Sequence, residues 1–157
     1  DSFSALVSAG TKAVREVSPS SKVIVHISNG YDNAMFRWMF DGLKSNHVDY
    51  DVIAMSLYPN ANNWQLINDQ CYANMLDMVS RYNKEIMISE VGMDYTKAIE
   101  CRGFLTDIIS KNKSLANHKG LGVFYWEPEC FNNWQGYNMG AFDNDGKPTI
   151  AMDAFLN

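Results

Sequence analysis

Apolar residues along this chain alternate between two spacings. Phe3, Leu6, Val7, Gly10, Val14 and Val17 recur at helical intervals, and Ser18-Pro19-Ser20 ends that first helix. The run 22–27 then reads as a buried strand broken by Ser28-Asn29-Gly30. Phe36, Met39, Phe40 and Leu43 fall at i, i+3, i+4 and i+7, the stripe of a second amphipathic helix. Residues 51–58 form a second strand stopped by Pro59. Cys71, Tyr72, Met75, Met78, Val79 and Tyr82 mark a third helix, before a strand over 85–90 that ends at Glu90. Phe104, Leu105, Ile108, Ile109 and Leu115 mark a fourth helix, and 121–126 a fourth strand.

The predicted order is αβαβαβαβ. Strands joined through one helix each must run parallel, because such a crossover cannot return as a hairpin. Near-continuous Val, Ile, Met and Phe content predicts strands covered on both faces. A doubly wound sheet and a β/α barrel both satisfy this α/β pattern. No Gly-x-Gly-x-x-Gly or phosphate loop follows any strand, which favours the (β/α)8 barrel. A whole barrel needs about 250 residues. The chain has 157, so the expectation is four of eight strands.

Composition narrows the function. With 46% hydrophobic and 20% charged residues the chain can bury a core. A net charge of −5 with 13 dispersed Lys and Arg offers no basic patch, which argues against nucleic acid. No apolar stretch approaches the roughly 20 residues of a membrane helix, and no charged-then-apolar signal opens the chain, so a soluble piece without a targeting segment is expected.

Chemistry gathers at the strand ends: His26 with Asn29, Ser56 with Tyr58, Glu90, and Trp126 with Glu127. In parallel β/α folds those ends share one face, where the active site is built. Aromatic faces and polar groups around one pocket suit a carbohydrate, and a glycosidase needs two carboxyl groups. Each residue also has a plainer reading. Glu90 could be a surface carboxylate, His26 a satisfied core histidine, Tyr58 core or rim, and Trp126 filling of the barrel interior.

The wording of the strands goes further. Lys22-Val23-Ile24-Val25-His26-Ile27-Ser28-Asn29-Gly30-Tyr31-Asp32-Asn33, Asp49-Tyr50-Asp51-Val52-Ile53, Ser56-Leu57-Tyr58-Pro59, Ile88-Ser89-Glu90 and Gly122-Val123-Phe124-Tyr125-Trp126-Glu127-Pro128 together resemble glycoside hydrolase family 53, the arabinogalactan endo-β-1,4-galactanases. The resemblance implies that residues 1–157 are the second half of that family's catalytic barrel, from the helix after strand four to strand eight. It implies a retaining enzyme acting on galactan or arabinogalactan, with Glu90 as nucleophile and the Tyr58 hydroxyl keeping it ionised. Trp126 becomes the floor of the sugar subsite beside the scissile bond, and His26 lines the site. Asn29, Asp32 and Trp64 are candidates for hydroxyl bonding or stacking, and Glu127 for substrate binding or a structural role. It also implies a secreted, periplasmic or cell-surface protein. Val91-Gly92-Met93, where relatives carry a small polar residue and aromatics, and a short loop over 61–66 depart from the family pattern.

The family's acid/base Glu follows an Asn at the end of strand four, and no Asn-Glu pair occurs in these 157 residues. The expectation is that this piece alone has little or no activity. A β-glucan or mannan hydrolase of the same clan, or a non-catalytic carbohydrate-binding barrel, are the alternatives. Cys101 and Cys130 fall in loops after neighbouring strands, which predicts a disulfide between them, while Cys71 on an apolar stripe predicts a buried thiol. No cofactor is expected. Asp143-Asn144-Asp145-Gly146-Lys147 reads as a turn without EF-hand spacing, and calcium of another geometry stays open. Four strands leave two unpaired edges, which predicts a homodimer or a neighbouring barrel half.

Overall fold

A computed structural model describes residues 2–156. Helices α1 (Ser2–Val17), α2 (Asn33–Ser45), α3 (Trp64–Tyr82) and α4 (Ala98–Lys113) alternate with strands β1 (Ile24–Ile27), β2 (Val52–Leu57), β3 (Glu85–Val91) and β4 (Gly120–Tyr125). All pairings are parallel and the spatial order is β1-β2-β3-β4. Sequential neighbours with helical crossovers are what a β/α barrel produces, and the fold is a partial barrel of this type. A short 3-10 segment, Ile150–Leu156, docks against α4 through Ala151 and Ala154; the apolar periodicity did not announce it.

Two clusters divide the sheet's faces. Ile53, Met55, Leu57, Ile86, Ile88 and Val91 belong to the large core with Phe36, Phe40, Met75, Met78 and Phe104 from the helices. Val52, Ala54 and Met87 form a small cluster on the opposite face, the one that lines a barrel's interior. Burial on both faces holds for β2, whose six residues are all buried. At the two edge strands it does not: Ile24, Leu121 and Phe124 are exposed, because that face has no second layer. The stripe predicted for α1 is corrected as well. Ser4 and Thr11 are the buried positions, while Leu6 and Val17 are 72% and 88% exposed. Val7 of the stripe packs against the core, and polar contacts add to it: Arg15 pairs with Asp49 and Asp51, and the Thr11 hydroxyl donates to the Asp49 carbonyl.

Buried amides tie the elements together. Asn74 of α3 donates to the Gly30 carbonyl, which fixes the loop after β1, and accepts from Asn33. Asn112 of α4 accepts from the Gly122 amide of β4 and donates to the Ile86 carbonyl of β3, at 2.8 and 3.4 Å. Gly120 lies so near that a Cβ there would stand 1.8 Å from the Asn112 carbonyl oxygen. The amides of Asn74 and Asn112 are stabilising because both their oxygen and their nitrogen find partners.

Several groups inside this core ionise at high pH. Burial pushes the Cys71 thiol from its ordinary 9.0 to about 12 and the Cys101 thiol to about 11, and it raises the phenols of Tyr50 and Tyr125 above 10.0. The folded chain holds these protons while the unfolded chain releases them at ordinary values, so stability is complete below about pH 8.5 and falls as pH rises from there. Melting temperatures measured from pH 7 to 11 should be flat at first and then decline; an unchanged melting temperature at pH 11 contradicts this burial.

Candidate active site

The site begins with an irregularity in the sheet. Side chains of a strand alternate faces, so Glu90 should share the helix-covered face of Ile86 and Ile88. Both ladders of β3 slip just before that point. Met55 pairs with Ile88, and the next β2 residue, Ser56, pairs with Glu90, leaving Ser89 as an extra residue; the β3–β4 register shifts between Ile88 and Val91. A bulge of this kind re-aims a side chain. It puts Glu90 in register with Ser56, on the face of Val52 and Ala54, and returns Val91 to the core beside Leu57.

Glu90 meets Tyr58 there. The Tyr58 hydroxyl donates to Glu90 Oε1 at 2.5 Å, a short side-chain hydrogen bond. Tyr58 stands one residue past β2, before the buried Pro59. Burial, then the bond to Glu90, holds its phenol above the ordinary 10.0, so it remains a donor through neutral and mildly alkaline pH. Gly92 makes the approach feasible: a Cβ there would stand 2.7 Å from Tyr58 Cε1, 2.9 Å from Tyr137 Oη and 3.1 Å from the Met139 carbonyl. The departure Val91-Gly92-Met93 is thus the seat of the Tyr58 ring.

His26 is next along the same face. Its Nε2 lies 2.6 Å from Ser56 Oγ, and the ring is exposed rather than a core histidine. Trp126 follows β4 and its amide donates to the Val91 carbonyl at 2.9 Å, fixing the indole's backbone beside the bulge with the residue 48% exposed. The structure therefore brings Glu90, Tyr58, His26 and Trp126 to one end of the sheet. Asn29 stands in the adjoining turn with φ 54°, its carbonyl accepting from the Asp32 amide.

The other candidate residues make contacts of their own. Asp32 caps α2 by accepting from the Met35 amide. Trp64 is half-buried and packed against α4, its Cζ2 3.1 Å from where a Gly103 Cβ would be. Glu127, at φ 48°, lines an open pocket of the loop after β4 with Glu129, Phe131 and Trp134. The Cys101–Cys130 disulfide is corrected: both are free thiols. Cys101 is buried on α4 with its Sγ 3.8 Å from the Tyr125 hydroxyl, whereas the Cys130 Sγ faces the Tyr137 carbonyl. Asp143 accepts from the amides of Asp145 and Lys147, closing a tight turn with Gly146 at φ 72°. Among the described residues no group of three or more His, Cys, Asp or Glu is placed to hold a metal.

Two tyrosines escaped the sequence reading. Tyr125 donates to the Met139 or Gly140 carbonyl and accepts from the Met93 amide, bracing the last loop against the loop after β3. Tyr137 donates to the Trp126 carbonyl at 3.2 Å. The only signal for Tyr137 is its place directly after the turn formers Asn132, Asn133, Gln135 and Gly136.

The profile of glycosyl hydrolase family 53 matches residues 1–102 and 98–155. An arabinogalactan endo-beta-1,4-galactanase of Cellvibrio japonicus is 30% identical over 183 residues, covering 96% of this chain and 47% of its own length. An endo-beta-1,4-galactanase of Bacillus subtilis is 28% identical, covering 78% of the chain and 33% of its own length. The chain spans about half the length, or less, of the curated relatives it matches. Among solved structures, the Ignisphaera aggregans GH53 catalytic domain superposes with a TM-score of 0.80 at 21% identity, over 98% of this chain and 51% of that one. A Cellvibrio japonicus xylanase superposes at 0.70 with 11% identity, over 95% and 38%, which shows a shared fold.

The crowding at Gly92 gives a direct check. Gly92→Ala should cost about 1–3 kcal/mol, because the Tyr58 ring must move. Gly42→Ala, in open space on α2, should add about 0.5–1 kcal/mol through helix propensity. Urea denaturation of the two variants measures both, and equal effects would remove Gly92 from its seating role.

Proposed function

The chain belongs to glycosyl hydrolase family 53, and on that premise we propose that it is the nucleophile-bearing part of a retaining endo-β-1,4-galactanase, corresponding to strands five to eight of the barrel. The observation that carries this reading is the 2.5 Å bond from Tyr58 to Glu90 at the end of β3. A donor on Oε1 fixes the orientation of the carboxyl group and leaves Oε2 to attack the anomeric carbon. An upstream Glu, expected after strand four, protonates the departing oxygen, and a covalent galactosyl–enzyme forms at Glu90. That same Glu then activates the water that releases the sugar and regenerates Glu90. Trp126 provides the stacking floor of the subsite and His26 a polar wall, while Asn29 is offered to sugar hydroxyls from the adjoining turn. The natural substrate is galactan or arabinogalactan, which places the protein outside the cytoplasm. The open edges of β1 and β4 and the exposed interior face suit the other half of the barrel, or a second copy in its place.

In the full-length protein, Glu90→Gln should lower reducing-sugar release from galactan by about a thousandfold or more, as removal of a covalent nucleophile does. Tyr58→Phe, which removes one hydrogen bond to a charged group, should lower kcat by about 10- to 100-fold. Undiminished cleavage by Glu90→Gln would sink the assignment. A retaining reaction needs both carboxyl groups roughly 5–5.5 Å apart. The 157-residue chain alone should therefore release sugar at background rates from the same galactan, and rates near those of the full enzyme would refute the division of labour.

A further inference from the structure

Glu90 is bonded by the Tyr58 phenol, Trp126 follows the neighbouring strand, and one residue reaches the ring edge of the first and the backbone of the second. Tyr137 comes out of a turn in which Asn132, Asn133, Gln135 and Gly136 all hold left-handed backbone, φ 54°, 50°, 51° and 81°. That conformation is uncommon outside glycine and is tolerated best by Asn. It carries the loop back toward β3. There the Tyr137 hydroxyl donates to the Trp126 carbonyl at 3.2 Å, with the Met139 carbonyl at 3.4 Å as its second acceptor. The same oxygen borders the space above Gly92 from one side while the Tyr58 ring borders it from the other. The two phenols also influence each other's ionisation, and burial lifts that of Tyr137 to about 12, so it too stays protonated.

Tyr137 forms no hydrogen bond to Glu90 and has no step in the displacement itself. We propose that it is a positioning residue for the reaction: by holding the Trp126 backbone and closing the space into which the Tyr58 ring would otherwise move, it sets the spacing of phenol and indole around the nucleophile. The inference rests on the assignment of Glu90 as nucleophile. Its effect reaches the chemistry through Tyr58, so the consequence is on kcat rather than on substrate affinity. Gly92 is part of the same device, since any side chain there would separate the two phenols.

The test uses the full-length enzyme and a dinitrophenyl β-galactobioside, whose phenolate departs without a proton donor, so that formation of the covalent intermediate reports on Glu90 and not on the acid/base. Tyr137→Phe should lower the single-turnover rate about three- to tenfold, the worth of one neutral hydrogen bond, with KM changed less than about twofold. In the double variant with Tyr58→Phe the losses should fall short of multiplying, because both act through one group. Losses that multiply, an unchanged rate, or an effect confined to KM would overturn the proposal. Glu90→Gln serves as the parallel control. If it abolishes the reaction while Tyr137→Phe is silent, the positioning role alone fails. If Glu90→Gln keeps the rate, the nucleophile assignment fails and the role of Tyr137 falls with it.

Discussion

A strand buried between helices and a barrel interior sends alternate side chains to opposite sides, and a carboxylate two residues beyond Ile88 would be driven into an apolar core where its charge has no partner. The extra residue at Ser89 prevents this. By breaking the alternation once, it turns Glu90 to the interior face while Val91 stays with the helices, so core packing and site chemistry are both satisfied within two residues. Everything else at the site follows from that turn. Tyr58 can bond Glu90 because both now project from the same side, and His26 and Ser56 join them along the same face.

What the amino-acid order made legible was the alternation of elements and the chemistry at strand ends. Runs such as Ile86-Met87-Ile88 and the helical stripe of Phe36, Phe40 and Leu43 are strong period signals, and the structure buries them. Glu90, Tyr58 and Trp126 were readable as neighbours because each stands at or one residue beyond the end of a strand. The bulge was not readable, since Ser89 alone could equally have continued the strand. Nor was the state of α1: its stripe is amphipathic, yet Ser4 and Thr11 are the buried positions, and Thr11 bonds the Asp49 carbonyl in the loop before β2. The pairing of Cys101 with Cys130 failed because adjacency of loops says nothing of where thiols point, and a helix buries Cys101 beneath Tyr125. Asp32 illustrates a competition that sequence cannot resolve, for a carboxylate beside a helix start is as useful as a cap as it is near a sugar.

The fold is held in two different ways at its two ends. From β2 to α4, contacts are apolar and continuous, and ion pairs such as Arg37–Asp77 and Arg81–Asp41 lie on the outer surface. At α1 the order is reversed, with Arg15 reaching Asp49 and Asp51 while Leu6 and Val17 face outward. Attachment through exposed charges is screened by salt, whereas apolar burial is not. The same exposure on the interior face, at Leu121 and Phe124, marks surface that the barrel architecture normally covers.

Asn112 acts as a caliper between β3 and β4. One amide group touches Ile86 and Gly122 together, and bare backbone at Gly120 lets α4 sit directly against the strand's first residue. A one-residue slip of β4 would invert every side chain along it and swing the indole at its end to the outer wall. The orientation of Trp126 at one end of the sheet is thereby decided at the opposite end, by a side chain wholly buried from solvent.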